Sequence, residues 1–553
     1  MNIKAIKTLG VASTALLLAS CGGGVPSVVS TPAENIDAIP LKVADLSDME
    51  IKQWSHMDLM KDTVPGMSVT RTYNELIGNK RGETVIVAVI DSGVDIEHED
   101  LDGVIWTNED EIPGNGIDDD NNGYVDDIHG WNFLGDAVNE QLEMTRIVAR
   151  YRNQFANKNR ADVPANMQAK YDLYQKAKLE VEGTVKEAQQ NQEYYKNLKQ
   201  QITAADAEMR KATGKDVYTK EDLAKVTDPK YAQSKGMVSN IMARAGRIEE
   251  VMSQLDGGIA YYGDQLAYNH NVDFKGRTTG DDVYDINDTG YGDANVMGPA
   301  SDNKENAKHG THVAGIIAAE RNNGIGMNGA AQNVKIMAVR AVPNGDEYDK
   351  DIALAIRYAV DNGAKVINGS FGKYYSENSE WVRDAIAYAA KKDVLFVNAA
   401  GNEGTNLDTV NVYPNDQIDN GPESGDTFLT VGALNYEYGS NLLATFSNYG
   451  KINVDVFAPG VKIWSTTPHN KYEFLQGTSM AAPNAAGVAA MIRSYYPKLS
   501  AAQVKQILMS SGTPTSNMVI LGGDENNKNS LANVSTSGRM VNMYNAFKTA
   551  ASM

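Results

Sequence analysis

Two kinds of apolar pattern divide this chain. In TVIVAVIDSGVD (84–95) and DVLFVNAAGNEG (393–404), β-branched and other apolar residues follow one another without polar alternation, then stop abruptly at Asp91-Ser92-Gly93 and Gly401-Asn402. Runs of that kind predict strands covered on both faces, as in a parallel sheet. Asp91 then lies at the carboxyl end of its strand, where open α/β sheets place their sites. From about residue 140 to 255 the pattern changes. Met167, Tyr174, Val181, Ala188, Tyr195, Ile202 and Met209 recur every seven residues among Lys, Glu, Gln, Ala and Tyr, with Gly183 the sole Gly or Pro between them. This spacing predicts a coiled-coil-like helical seam with polar Lys178, Gln192 and Lys199 at the alternate positions. Such a helix would extend ~65 Å at 1.5 Å per residue. Shorter helices are expected at 144–155 and 237–255.

The first residues, MNIKAIKTLGVASTALLLASC, carry Lys4 and Lys7 and then an apolar run. The run is too short for a bilayer span, which takes ~20 residues, but it suits the core of an export signal. It closes in Leu18-Ala19-Ser20-Cys21, which resembles the bacterial lipobox, whose cysteine is acylated and becomes the first mature residue. Cys21 is the chain's single cysteine, so structural disulfides are excluded. Residues 22–39, rich in Gly, Pro, Ser, Val and Ala, read as a flexible tether. A bacterial cell-envelope protein follows, held at the outer membrane or cell surface by lipid. The formal net charge of −20 argues against a nucleic-acid partner.

Three short motifs carry chemistry. KHGTHVAGIIAAE (308–320) holds His309 and His312; a metal pair would need a carboxylate or cysteine at matching zinc spacing, which is missing, so base chemistry at a helix entrance fits better. Asn402 could donate an amide hydrogen bond into a cleft. QGTSMAAPNAAG (476–487) surrounds Ser479 with small residues, as either a tightly packed helix or a nucleophile with open space above it. Chain order decides between mechanisms. The last histidine is His469, so none follows Ser479, and the α/β-hydrolase order is excluded. Asp91, His309, Ser479 is the subtilisin order.

Over DSGVDIEHEDL, HGTHVAGIIAA, INGSFG, AAGNEG, FAPG and GTSMAAP the chain resembles the subtilisin-like serine protease family, the subtilases. The resemblance implies a doubly wound α/β domain with a mostly parallel sheet, formed by 51–139 and 257–553, with a helical insertion at 140–256 after a signal peptide (1–20) and a lipidated tether (21–50). It implies a serine endopeptidase acting on proteins or peptides without a catalytic cofactor. Ser479 would be the nucleophile, His309 the base, Asp91 its orienting carboxylate and Asn402 the oxyanion donor. Ser370, Phe371 and Gly372 would bind substrate as an added strand, while Glu403 would sit at the mouth of the primary pocket and favour a basic side chain. His312 becomes a structural histidine, and Asn484 stands where the family commonly has histidine. A catalytically silent scaffold on the same fold is the other reading, against which the four intact catalytic positions argue. The insertion reads either as a self-packed decoration or as a substrate gate or docking arm.

NGIDDDNNGYVDD (115–127) places Asp118, Asp120, Asn122, the Tyr124 carbonyl and Asp126 at positions 1, 3, 5, 7 and 9 of a calcium loop, with Gly123 at the turn. Position 12 is His129 rather than Glu, so the EF-hand is incomplete. Carboxylates this close repel one another unless a cation neutralises them, and structural calcium is expected. Asp100 with RNNGIGMNG around Asn323 resembles, more loosely, another calcium site of the family.

Overall fold

The computed structural model describes residues 45–553. The expected signal peptide (1–20), Cys21 and the expected tether up to residue 44 lie outside the described residues. The tether was expected to run to residue 50, but the packed body begins earlier. A helix at Asp48–Gln53 is closed by a Ser47/Glu50 capping box, and buried Trp54 follows, its Nε1 donating to Val461 O at 3.0 Å.

Nine strands form the central sheet. They are β1 (Val85–Asp91), β2 (Gly130–Asn132), β3 (Val334–Arg340), β4 (Val366–Gly369), β5 (Leu395–Ala399), β6 (Phe428–Leu434), β7 (Val456–Pro459), β10 (Thr513–Pro514) and β13 (Arg539–Met540). Hairpins β8 (Ile463–Thr467)/β9 (Lys471–Leu475) and β11 (Met518–Leu521)/β12 (Asp524–Ser530) stand apart from it. The strand order is β10-β13-β7-β6-β5-β4-β1-β3-β2. Every neighbouring pair is parallel except β10 with β13. The uninterrupted apolar run of β1 has its cause here: Val87 and Val89 enter the core on one face, Ala88 and Ile90 the core on the other.

Long helices cover the faces, α5 (Lys308–Ala318) and α8 (Thr478–Tyr495) on one side and α6 (Asp349–Asp361) and α7 (Ser379–Lys391) on the other, and α9 (Ala501–Ser511) and α10 (Met543–Ala550) complete the body. Before them in the chain come α1 (Glu143–Phe155), α2 (Gln168–Thr213), α3 (Ala232–Ala245) and α4 (Ile248–Asp264), which form the insertion. β1 has β3 on one side and β4 on the other, so the chain reverses its direction of travel across the sheet there. The crevice at the carboxyl ends of β1 and β4 is therefore the place the topology provides for a site.

The long helix α2 spans 46 residues. Near its start, Tyr171, Tyr174, Ala177 and Val181 pack against Ile147, Val148, Tyr151 and Phe155 of α1. Further along, Ile202, Ala205 and Met209 pack against Val238 of α3 and Ile248 and Leu255 of α4. The seven-residue seam therefore faces its partners, flanked by Tyr171 and Val185 at plus four and by Ala177, Leu198 and Ala205 at plus three, rather than by Lys178, Gln192 and Lys199. Ala177 and Ala205 are small enough to admit the neighbouring helices. The polar residues instead bond along the edge, Gln192 Nε2 donating to Ile259 O at 3.3 Å and Lys199 pairing with Asp256. The single helix expected at 237–255 is two, since Gly246 takes φ 76° between α3 and α4. Past residue 256 the helix runs on to Asp264, because Tyr262 packs on Tyr195 of α2 with ring centroids 5.8 Å apart. No helix among the described residues is long and apolar enough to cross a membrane.

Candidate active site

Asp91 ends β1, buried at 1% exposure. Its Oδ1 accepts from the Ser92 N–H at 2.7 Å and lies 2.7 Å from His309 Nδ1. His309 occupies the first turn of α5, which approaches β1 closely at Gly310: a Cβ there would lie 2.1 Å from Gly93 O. Burial alone would lower the His309 pKa, yet the Asp91 charge and hydrogen bond outweigh it and hold the imidazole above its ordinary value. His312, one turn on, is buried in α5 with Nε2 3.1 Å from both Ile463 O and Glu473 O. Burial lowers its pKa to about 3, so it stays neutral and holds α5 to the β8/β9 hairpin.

Ser479 lies in the first turn of α8, after Gly477 at φ 152°. Its backbone N–H is among the helix's first N–H groups, which have no intrahelical acceptor and point out of the helix start. Its Oγ donates to Ser370 O at 3.2 Å. In return, the Ser370 hydroxyl donates to Ser479 O at 2.9 Å and accepts from Asn368 Nδ2 at 2.9 Å. Pro483 explains that bond. Lacking an N–H, it leaves the carbonyl four residues earlier, Ser479 O, without its helical donor, and Ser370 supplies one. Ser370 directly follows Gly369 of β4, and Gly369 pairs with Ile90 beside Asp91. The register thus carries Ser479 to the strand end where Asp91 and His309 meet.

Asn402 hangs from the loop after β5. Its Oδ1 accepts from the Thr478 N–H at 2.8 Å and the Thr478 hydroxyl at 3.0 Å. An N–H donor can face only the oxygen of the amide, so Nδ2 is the end left to donate. Ser479 and Asn402 line one cavity of about 200 Å³ with Phe371, Gly372, Tyr374 and Glu403 among its walls. Ser370 lines it too, and Phe371 is both wall and core, buried at 8% exposure. Glu403 accepts at Oε2 from the Asn402 N–H at 2.8 Å and from Asn448 Nδ2 at 2.9 Å.

Three further residues take part. Thr478 orients Asn402. Buried Asn448 ties the 401–405 turn together, its Oδ1 accepting from the Glu403 and Thr405 N–H groups at 3.2 and 2.9 Å. Tyr374 reaches the pocket from the segment after β4. Asn484, where the family commonly has histidine, is buried, and its Nδ2 donates to Pro459 O at 3.0 Å and Met480 O at 3.2 Å.

The acidic loop is arranged differently from the expected calcium loop. Asp118 accepts from the Asn122 and Gly123 N–H groups at 3.0 and 2.9 Å, and Asp126 from those of Gly114, Asn115 and Gly116. Tyr124 packs its ring on Trp131 and Tyr358, and the Asn122 amide donates to Asp120 and Asp127. The carboxylates that converge among the described residues are Glu111, Asp120 and Asp127, with ligand atoms within 4.8 Å of one another. Only Asp120 belongs to both sets. Burial pushes the Asp127 carboxyl up to about 6 despite donors from Tyr358, Asn108 and Asn122. Asp100 accepts from Asn323 Nδ2 at 2.7 Å and the Met327 N–H at 3.0 Å.

Residues 82–534 match the subtilase family, Peptidase S8, and the chain belongs to that family. It is 46% identical over 187 residues to a thermophilic serine proteinase of Bacillus sp. (strain AK1), covering 34% of this chain and 42% of that protein. It is 35% identical over 232 residues to a cell wall-associated protease of Bacillus subtilis (strain 168), covering 42% and 24%. Subtilisin DY of Bacillus licheniformis is 37% identical over 225 residues, covering 40% and 76%. The matched segments thus span less than half of the first two relatives.

Proposed function

We propose that this chain is a subtilisin-like serine endopeptidase that cleaves proteins or peptides through an acyl-enzyme. The observation that carries the reading is the Asp91–His309 contact at the end of β1, beside β4, whose next residue Ser370 is the one that Ser479 touches. On substrate binding the Ser479 hydroxyl turns from Ser370 O to His309 Nε2, since catalytic hydrogen bonds often tighten only in the complex. Ser479 Oγ then attacks the scissile carbonyl while His309 takes the proton, and Asp91 holds the imidazole tautomer and stabilises the imidazolium. Asn402 Nδ2 and the Ser479 N–H donate to the oxyanion. His309 returns the proton to the leaving amine, and water, activated by the same imidazole, releases the acyl group. Substrate pairs along Ser370–Gly372 as an added strand.

The test is Ser479→Ala. Peptide-bond hydrolysis and fluorophosphonate labelling are both expected to vanish; full activity in this variant would refute the assignment. Profiling a mixed peptide library with wild type and variant together reads the chemistry and the cleavage preference at once.

A structural calcium ion fits Glu111, Asp120 and Asp127, an all-oxygen donor set suited to a hard cation. Its charge would offset three converging carboxylates, with no part in the reaction. The N-terminal Lys4/Lys7 segment and Leu18-Ala19-Ser20-Cys21 support export and lipid anchoring at a bacterial cell envelope. Two acyl chains at Cys21 would hold the body at a membrane surface, at about 0.8 kcal/mol per buried CH₂. Cys21→Ser should abolish fatty-acid labelling and move the protein to the aqueous fraction; unchanged membrane association would reject the anchor.

A further inference from the structure

The outer wall of the primary pocket is a segment that the helical insertion grips. After β4, side chains of the chain from Lys373 to Glu377 alternate in direction. Lys373 is buried, its Nζ 3.2 Å from Glu143 Oε2 on α1 and 2.9 Å from Asp349 Oδ1. The Tyr375 hydroxyl donates to Glu180 Oε2 on α2 at 2.5 Å, and Lys176 Nζ lies 4.9 Å from its ring. Tyr375 is also part of the apolar cluster of α1 and α2, at 5% exposure. Glu377 accepts from the Tyr151 hydroxyl at 2.7 Å and from Arg150 at 3.1 Å, both on α1. Three alternate residues thus anchor to the insertion. Tyr374, between them, turns the other way into the cavity that holds Ser479, and its hydroxyl donates to the Glu403 carboxylate while accepting from Asn448 Nδ2 at 3.3 Å.

This arrangement changes what Glu403 offers. From sequence it was the selector for a basic side chain. In the structure its Oε2 already takes donors from the Asn402 N–H, Asn448 Nδ2 and the Tyr374 hydroxyl. Oε2, so occupied, has little capacity left for a substrate ammonium or guanidinium, which could meet only Oε1 of this exposed side chain. Phe371, Ala399 and Val412 supply an apolar part of the wall, alongside the polar Ser370, Asn402, Thr478 and Ser479.

We propose that Tyr374 is a specificity-determining residue of the primary pocket, capping Oε2 of Glu403 so that the pocket favours uncharged, apolar side chains over lysine and arginine, and that the insertion is the positioning device that holds Tyr374 there through Tyr375 and Glu180. The inference rests on the reading of this cavity as the primary pocket of an endopeptidase. An alternating grip explains why the insertion sits against this segment: displacing any one anchor tilts the residue between them. Removing the Tyr374 hydroxyl alone keeps the wall and takes one of three donors off Oε2, and this separates capping from shape.

The experiment uses the full chain as wild type, Tyr374→Phe, Tyr375→Phe and Glu180→Gln. Active sites are first titrated with a fluorophosphonate, then kcat/KM is measured on peptide amides that differ only in the residue before the scissile bond: leucine, phenylalanine, lysine or arginine. Wild type should prefer leucine and phenylalanine. Tyr374→Phe should raise the lysine-to-leucine ratio by about tenfold or more, the range one pocket contact commands. Tyr375→Phe and Glu180→Gln should move that ratio the same way by a smaller factor. A wild type faster on lysine, or an unmoved ratio in Tyr374→Phe, overturns the cap. A ratio moved by Tyr374→Phe alone upholds the cap and overturns the positioning role. Absence of labelling in wild type would instead bring down the endopeptidase reading itself.

Discussion

His309 Nδ1 lies 2.7 Å from Asp91 Oδ1, joining the first turn of α5 to the last residue of β1. The carboxylate is 1% exposed and the imidazole 38%, so the charge that stabilises the imidazolium is dry while the ring's other side meets the cleft. Burial opposes the charged imidazole and Asp91 favours it, and Asp91 prevails.

That balance fixes the sign of the pH dependence. A raised pKa means that the neutral base is populated only above that value. The kcat/KM profile should therefore rise with pH through a midpoint above the ~6.5 of an ordinary histidine. Asp91→Asn removes the raising charge, so the acid limb should move to lower pH. The tautomer is lost as well, and kcat should fall by about 10⁴. An acid limb that stays in place in Asp91→Asn would show that another group sets it.

Asn402 is oriented by Thr478, and the two should separate in kinetics. Asn402→Ala removes the oxyanion donor and should lower kcat by about 10²–10³, or about 2.7–4 kcal/mol, a magnitude established on subtilisin, a member of this family. KM should change little, because the donor acts mainly as charge develops. Thr478→Val keeps Nδ2 but loses the hydroxyl on Oδ1, and its smaller drop in kcat should correspond to about 1 kcal/mol. Equal losses in kcat and affinity for ground-state peptide would argue against an oxyanion role.

Ser370 repairs the helix bond that Pro483 breaks. Ser370→Ala leaves the Ser479 carbonyl without that donor and should cost about 1–3 kcal/mol in denaturant unfolding. In a Pro483→Ala background the new N–H at position 483 can serve the same carbonyl, so Ser370→Ala should cost less there. Additive losses in the double variant would mean the two positions act independently.

Local pattern revealed those parts whose physics is local. The apolar run 85–90 announced a two-sided strand, the seven-residue seam announced α2, and Asp91, His309, Asn402 and Ser479 stood in short motifs at element ends. What escaped depends on contacts across long separations. Thr478 meets Asn402 76 residues away, Ser370 meets Ser479 across 109, and Tyr375 meets Glu180 across 195. The expected substrate strand Ser370–Gly372 ends two residues before Tyr374, yet no pattern shows that Tyr374 turns into the pocket, because its direction is set by neighbours anchored to α1 and α2. The plus-three flank of the seam was likewise hidden, since a single helix cannot say from which side its partners approach. In the acidic loop, spacing pointed to the stretch around Asp120 but could not show which carboxylates converge, because Asp118 and Asp126 bind backbone N–H groups of their own turns while Glu111 folds in from outside the motif.

That distinction makes the calcium proposal testable within one loop. Adding EDTA should lower the melting temperature and calcium should restore it. At a calcium concentration a hundred times its Kd, binding to the folded state alone contributes about 2.7 kcal/mol. Glu111→Gln and Asp127→Asn each remove a converging carboxylate and should shrink this calcium-dependent shift. Asp126→Asn weakens acceptors for Gly114, Asn115 and Gly116, so it should lower the melting temperature with calcium present yet preserve the response to EDTA. The ion needs ionised carboxylates, so the shift should also fade in acid. If Asp126→Asn abolished the response while Glu111→Gln and Asp127→Asn kept it, the ion would belong to the loop positions read from spacing instead.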